Sequence, residues 1–219
     1  MNVEMRSRLS RDERMEQTLG VAHELFAERG YADVTMEEIA AAVGVTKPLL
    51  YNYFGNKERL YIACMERAGD SLTRTVGEAI AGTDSPGDAL ASGVRAFFAF
   101  LDSDRAAWAV LFDETLPSSG EVAERVAGYR NEIIALVSGS LLAQLPDNSR
   151  KRARIEIEAL SAALLGAAEE LARWWLRTEA IPAKEAAELL ISTVEPGIRA
   201  RSQAAHSPTS KPGKGTPKA

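Results

Sequence analysis

Residues 35–54 constrain the fold of this chain more than any other stretch, because they specify two short helices and the turn between them. Thr35 followed three positions later by Glu38 is a capping box, which predicts the start of a helix. Gly44 is suited to the positive φ that ends many helices, and Thr46 is a second candidate N-cap. Two short helices joined by a Gly-containing turn form the helix-turn-helix unit of many proteins that read DNA.

Apolar residues at helical spacing give both predicted helices an inward face. They are Met36, Ile39, Ala40 and Val43 in the first helix, and Leu50, Tyr53 and Phe54 in the second. Ala40 is small enough to let the second helix cross closely. Spacing alone leaves one alternative open, which is an ordinary corner between two helices with no connection to DNA.

The surrounding stretch resembles the DNA-binding domain of the TetR family of bacterial regulators over about residues 15–66. The similar segments are residues 22–31, the capping box at Thr35, the turn at 44–47 and residues 50–60. The resemblance implies an all-α fold of about nine helices. It also implies a three-helix headpiece followed by a larger domain that forms homodimers and binds a small effector.

The same resemblance assigns the DNA contacts to the reading helix and to the first turn of the next one. The expected contact residues are Thr35, Thr46, Lys47, Pro48, Leu49, Tyr51, Asn52, Tyr53 and Lys57. Asn52 suits an adenine edge, and Lys57 suits a phosphate. A packing role for Tyr51 and a solvent-facing role for Asn52 are the alternatives.

Pro48 and Leu49 depart from the small pair, Gly-Thr or Gly-Ala, that is common in the family. Pro48 has no backbone N–H to donate to a phosphate, whereas Leu49 is able to contact a thymine methyl group. The base preference of the family is therefore not transferred to this chain.

The formal charge of −5 is unusual for a DNA-binding protein, and the first sixty residues carry eight basic against ten acidic side chains. The basic residues cluster at the N-terminal arm, at Lys47 and at Lys57–Arg59. A local basic face on a mildly acidic particle predicts weak nonspecific affinity and a steep dependence on salt.

The pattern divides the chain into a polar arm (1–9), a DNA-binding domain (10–55), a helical ligand-binding and dimerisation domain (56–201) and a disordered basic tail (202–219). Small and aliphatic residues on the last two long helices predict a four-helix interface between two copies. We place it at Leu160, Ala163, Leu164, Ala167, Leu171, Leu190 and Val194. The alternative is that both helices only complete the core of one chain.

Aromatic residues are concentrated between the fourth helix and the predicted interface, where the resemblance implies an effector pocket. The pocket candidates are Phe97, Phe98, Phe100, Trp108, Phe112, Tyr129 and Trp174, and such walls suit an apolar ligand. Plain core packing is the alternative for each of them.

Composition argues against an enzyme, because only His23, His206 and Cys64 are available as imidazole or thiol groups. No nucleophile set, metal-ligand cluster or phosphate loop is visible, so we expect no cofactor and no metal. We expect a cytoplasmic protein with no membrane segment. The resemblance to the TetR family implies that its partners are palindromic double-stranded DNA, a second copy and a small effector, and that its effect on transcription is repression. The alternative is a helical protein-interaction module that no longer reads DNA.

Overall fold

A computed structural model describes residues 10–83, 88–113, 115–143 and 145–206. Within these ranges the protein is all-α, as predicted, with nine helices and no strand. They are α1 (Arg11–Asp33), α2 (Met36–Val43), α3 (Lys47–Phe54), α4 (Lys57–Ala81), α5 (Ala89–Ser103), α6 (Arg105–Leu111), α7 (Glu121–Ala143), α8 (Asp147–Thr178) and α9 (Ala183–His206). The predicted arm, residues 84–87 of the break before α5 and residues 207–219 of the tail lie outside the described part. None of the described helices is both long and apolar enough to cross a bilayer.

Local capping explains why α1 and α4 begin where they do. The Ser10 hydroxyl accepts from the Glu13 N–H at 3.2 Å, and the Glu13 carboxylate accepts from the Ser10 N–H at 2.7 Å. Asn56 caps α4, because its side-chain oxygen accepts from the Arg59 N–H at 2.8 Å. Both interactions satisfy amides that have no partner within the helix.

The first helix contains a kink at Gly30, where φ is +77°. The sequence predicted that the helix stops there, but one more helical turn follows as far as Asp33. Arg29 stabilises this turn by donating to the Asp33 carbonyl at 2.7 Å. Asp113 and Thr115 accept hydrogen bonds from the N–H groups of Tyr31 and Ala32 in this turn. Because these partners are more than eighty positions away, local sequence patterns do not predict the extra turn.

The described residues up to Ala79 and residues Ala96–Ile133 form one compact unit. Tyr61 lies fully buried at its centre and donates from its hydroxyl to the Val110 carbonyl at 2.6 Å. Its ring meets those of Phe26 and Tyr31 edge to face, at 4.8 and 4.9 Å between centroids. These contacts join α1, α4 and α6 in a single core.

The second unit consists of Ile80–Arg95 and the described residues from Ile134 onward. In this unit α8 packs on α9, and the turn between them is held by the Trp175 indole N–H, which donates to the Ile181 carbonyl at 2.8 Å. A separate apolar cluster comprises Leu141, Leu145 and Ile157.

The last helix extends further than the sequence suggested. Disorder was expected from Ser202, but α9 continues to His206. Each residue added to an existing helix gains one backbone hydrogen bond, and residues 202–205 contain no proline or glycine to interrupt it.

Candidate DNA-binding site

The third helix presents one face to the headpiece core and the opposite face to solvent. Leu50 and Phe54 are buried, whereas the side chains of Lys47, Tyr51 and Asn52 are exposed. Tyr51 is one of the few large aromatic side chains exposed in the described chain, at 40%. A helix that keeps its polar and aromatic residues outward offers them to the edges of bases.

The second helix holds the third in place through the predicted turn. The Thr35 hydroxyl accepts from the Glu38 N–H at 3.3 Å, and the Glu38 carboxylate accepts from the Thr35 N–H at 2.8 Å, so the capping box is complete. The Thr35 hydroxyl also donates to the same carboxylate at 2.7 Å. These bonds, together with Arg29, lower the pKa of Glu38 to about 2. Gly44 adopts φ +77° and its N–H donates to the Ala40 carbonyl at 3.0 Å. The chain thus leaves α2 through a left-handed residue, as predicted.

Thr46 occupies the predicted N-cap position of α3, but its side chain forms no capping hydrogen bond. Pro48 lies in the first turn, where backbone N–H groups have no acceptor within the helix, so its missing N–H costs no intrahelical hydrogen bond. Thr46 and Pro48 are exposed, and Leu49 is half-buried. The start of α3 therefore offers a hydroxyl and the positive end of the helix dipole to an anion, whereas Pro48 has no amide hydrogen and the Leu49 N–H already donates to the Thr46 carbonyl at 3.0 Å.

Lys47 is already engaged within the protein. Its ammonium group donates to the carboxylate of Glu37, in the first turn of α2, and lies 5.7 Å from the centre of the Tyr51 ring. The hydrogen bond raises the pKa of Lys47 and lowers the pKa of Glu37. Local sequence patterns do not reveal this partner, because it is ten positions away on a different helix.

Tyr53 is half-buried at the edge of α3, beside the start of α1. The Arg11 guanidinium lies 5.7 Å from the centre of its ring, which is a cation–π distance. Arg11 is exposed, so it adds a positive charge next to the reading helix.

Lys57 begins α4 and faces the turn that follows the α1 kink. Its ammonium group donates to the Ala32 carbonyl at 3.1 Å and lies 4.6 Å from the centre of the Tyr31 ring. Burial lowers the pKa of Lys57, and the side chain is half-buried. The lysine is therefore held in one position before any DNA arrives.

The aromatic residues suggested for an effector pocket are packed against one another. Phe97, Phe98, Phe100 and Trp108 are each less than a tenth exposed. Phe97 meets Trp108 edge to face at 6.4 Å, and Trp108 stacks on Phe112 at 4.0 Å. Phe97 also meets Phe98 edge to face at 5.4 Å, and we call Phe97, Phe98, Trp108 and Phe112 the aromatic cluster. Phe100 is buried on the same helix as Phe97.

The other two pocket candidates lie elsewhere. Tyr129 packs against Gly69 of α4 and donates from its hydroxyl to the Asp70 carboxylate at 3.0 Å. Trp174 is 36% exposed on α8.

The predicted interface residues differ in how far their own chain covers them. Ala163 and Ala167 are exposed, Leu160, Leu164, Leu171 and Val194 are half-buried, and Leu190 is buried within the second unit. The exposed alanines present only small side chains on this part of α8, and Ile155 on the same helix is 80% exposed. Exposed apolar surface of this kind is typical of protein–protein contacts.

The described residues contain no group of three or more His, Cys, Asp or Glu side chains arranged to hold a metal ion. Cys64 is buried, and burial raises the pKa of its thiol to about 12. A thiol that is protonated at neutral pH is a packing residue.

A compact headpiece with an exposed reading helix defines a helix-turn-helix DNA-binding protein. Residues 19–64 match the model of bacterial regulatory proteins of the tetR family, and residues 86–195 match the tetracyclin repressor-like C-terminal domain. The chain belongs to the TetR family of transcriptional regulators, so it shares their DNA-binding fold.

Individual relatives agree with this assignment. The HTH-type transcriptional activator FasR of Mycolicibacterium smegmatis is 32% identical over 173 residues, or 79% of this chain and 77% of that protein. A TetR-like transcriptional regulator from Rhodococcus sp. RHA1 has 30% identity and a TM-score of 0.71, covering 88% of this chain and 99% of the other. A tetR-family regulator from Streptomyces coelicolor has 26% identity and a TM-score of 0.68, covering 90% and 84%.

Proposed function

We propose that this chain acts in the cytoplasm as a homodimeric regulator that binds a two-fold-symmetric operator and releases it when a small, largely apolar effector binds. The observation that carries the proposal is the exposed face of α3, with Lys47, Tyr51 and Asn52 outward over the buried Leu50 and Phe54. Thr35, by contrast, acts first as a cap, since its hydroxyl accepts from the Glu38 N–H and gives its own proton to the Glu38 carboxylate.

Dimerisation follows from the size of the reading surface. One eight-residue helix covers only a few base pairs, which is too little to distinguish an operator from a genome of competing sites. A second copy adds a half-site whose centre is about 34 Å away, or a multiple of that distance. The exposed Ala163 and Ala167, flanked by half-buried leucines, supply a surface on which two α8 helices are able to approach closely.

The interface is tested by placing a charge on that surface. Ala163→Arg should convert the dimer into a monomer in sedimentation equilibrium, because the arginine would be buried without a partner. Ala163 is exposed in the single chain, so the substitution leaves the core of its own unit unchanged. Ala127→Arg, at an exposed site on α7, is the matched control and should remain dimeric. A dimeric Ala163→Arg variant would place the interface elsewhere.

The effector site that we propose is the aromatic cluster, opened by the ligand. Phe97, Trp108 and Phe112 are in mutual contact, so an apolar ligand must part these rings and replace their contacts with its own. Trp108 and Phe112 belong to α6 and its C-cap, and this end of α6 is hydrogen-bonded to α1 through Asp113. A ligand that prefers the opened state shifts DNA affinity by its differential affinity for the two states.

Repression is the effect we propose first, through occlusion of a promoter by the bound dimer. Activation is the second candidate, because the relative FasR is named a transcriptional activator. Transcription in vitro from a template carrying the operator distinguishes them. Added protein should lower transcript yield under the first and raise it under the second, and no change in either direction would contradict both.

A further inference from the structure

The reading helix α3 carries one tyrosine on each of its two flanks. Tyr51 and Tyr53 are two positions apart, so at about 100° per residue they project to opposite sides of the helix. Asn52 lies between them and is exposed, on the side of α3 away from the buried Leu50 and Phe54. The outward face of the helix is therefore bordered by an aromatic ring on either side.

A cation lies at the same distance from each of these rings. The Lys47 ammonium group is 5.7 Å from the centre of the Tyr51 ring, and the Arg11 guanidinium carbon is 5.7 Å from the centre of the Tyr53 ring. Both are cation–π distances. Lys47 belongs to α3 itself, whereas Arg11 is the first residue of α1 and reaches the ring from another helix.

The two cations differ in what else compensates their charge. Lys47 donates to the carboxylate of Glu37, so its positive charge already has a partner within the protein. Arg11 is exposed and forms no ion pair with any carboxylate in the described ranges. The nearby Glu13 is engaged in the capping box with Ser10. Arg11 therefore keeps its charge available for an anion from outside the chain.

The position of Arg11 suits a phosphate better than a base. When a reading helix lies in the major groove, the two sugar-phosphate backbones that border the groove run beside its flanks. Arg11 lies at the Tyr53 flank of α3 and not on the outward face that contains Asn52. Arginine side chains are frequent partners of phosphate oxygens, to which the planar guanidinium is able to donate two parallel hydrogen bonds.

We propose that Arg11 is a phosphate contact of this DNA-binding domain and that the ring of Tyr53 is the support that holds it in position. This role rests on the proposed DNA-binding function and adds to it a residue outside α2 and α3. It also gives Tyr53 a function through its ring instead of its hydroxyl. A guanidinium already stacked on a ring loses less conformational freedom when a phosphate binds.

The experiment is fluorescence anisotropy of a labelled duplex of mixed sequence, titrated with the full chain over a series of salt concentrations. Arg11→Ala should reduce the slope of log K against log salt by about one unit, because one phosphate contact is lost. Arg11→Lys keeps the charge and should keep the slope. Arg152→Ala removes an exposed arginine from α8 and is the matched control, with an unchanged slope.

Two substitutions at Tyr53 separate the effect of its ring from that of its hydroxyl. Tyr53→Phe retains the ring and should bind the duplex as the unaltered chain does. Tyr53→Leu removes the support of Arg11 and should weaken binding about two- to fivefold, the size of an exposed cation–π contact. In the Tyr53→Leu background, Arg11→Ala should change the slope less than it does in the unaltered chain. A purely structural role of Tyr53 would leave the two substitutions additive.

An unchanged slope for Arg11→Ala would overturn the phosphate contact. Equal weakening by Tyr53→Phe and Tyr53→Leu would overturn the role of the ring and assign the contact to the hydroxyl. If the unaltered chain binds no duplex at low salt, the proposed DNA-binding function fails and the role of Arg11 fails with it, whereas normal binding by every variant overturns the role of Arg11 alone. Thermal unfolding of each variant, carried out in parallel, separates loss of the contact from loss of the fold.

Discussion

The carboxylate of Asp113 accepts a hydrogen bond from the backbone N–H of Tyr31, with 2.5 Å between Oδ2 and N, and joins the end of α6 to the residue after the α1 kink. Thr115 adds a second bond by accepting from the Ala32 N–H at 3.3 Å. The same short turn receives Lys57 from α4, through the Ala32 carbonyl and the Tyr31 ring. Lys57, which we expect to bind a phosphate, is thus connected through the turn at Tyr31 and Ala32 to the segment that follows α6.

Asp113→Ala should destabilise the protein because it leaves the amide of Tyr31 part-buried without its partner. We expect a loss of about 1–2 kcal/mol in the free energy of unfolding, measured by urea denaturation. Asp102→Ala is the control, since Asp102 forms only an exposed pair with Arg105 at 4.0 Å. Equal losses of unfolding free energy in the two variants would show that the hydrogen bond from Tyr31 to Asp113 does not contribute measurably to stability.

Asn52→Ala should weaken binding to the operator by about tenfold and leave binding to an unrelated duplex nearly unchanged, because one base contact is worth ~1–3 kcal/mol of discrimination. The measurement is fluorescence anisotropy with both duplexes at one salt concentration. Asn131→Ala, which removes an exposed amide from α7, should bind both duplexes normally. Equal weakening on both duplexes by Asn52→Ala would mean that Asn52 does not read a base.

Lys57→Ala should reduce the slope of log K against log salt by about one unit, since each phosphate contact releases roughly one counterion. The slope is obtained from operator binding over a series of salt concentrations. Lys184→Ala removes an exposed lysine from α9 and should not alter the slope. An unchanged slope for Lys57→Ala would remove Lys57 from the DNA contacts.

Glu37→Gln should tighten DNA binding, most clearly at low salt. Glu37 holds the ammonium group of Lys47 in the free protein, so a phosphate must displace a carboxylate before it gains that lysine. We expect the affinity to rise about two- to fivefold for both the operator and an unrelated duplex, because breaking an exposed ion pair costs little free energy. Glu28→Gln makes the same charge change at an exposed position of α1 and should have less effect. An equal gain in DNA affinity for both variants would show that the change in net charge, and not the release of Lys47, causes the tighter binding.

Gly69→Ala should destabilise the first unit because no space exists for a methyl group. A Cβ at this position would lie 2.6 Å from the ring of Tyr129, so the ring must move. We expect a loss of about 1–3 kcal/mol in urea denaturation. Gly128→Ala, in open space on α7, should gain about 0.5–1 kcal/mol from helix propensity. A neutral Gly69→Ala would mean that Tyr129 relocates freely.

The parts of the fold that the sequence predicted are those that depend on neighbours in the chain. The capping box at Thr35, the left-handed Gly44 and the start of α4 after Asn56 are all local, and all three are confirmed. Thr46 shows the limit of such reasoning, because it occupies the N-cap position without forming the side-chain bond.

The remaining features depend on which residues the fold brings together. Glu37 reaches Lys47 from another helix, and the turn after Gly30 is completed by residues more than eighty positions away. Periodicity also identifies the apolar face of a helix without indicating whether that face packs within its own chain or against a second copy. Leu190 was expected between two copies of the chain, yet its own unit already buries it.

Selection of bound duplexes from a random DNA library, sequenced after several rounds in moderate salt, tests the central claim most directly. A dimer that reads DNA through α3 should enrich a two-fold-symmetric motif with half-site centres about 34 Å or a multiple apart. The Asn52→Ala variant should enrich the same motif with relaxed preference at one position in each half. No enrichment at any salt concentration would contradict sequence reading and would favour a helical protein-interaction module.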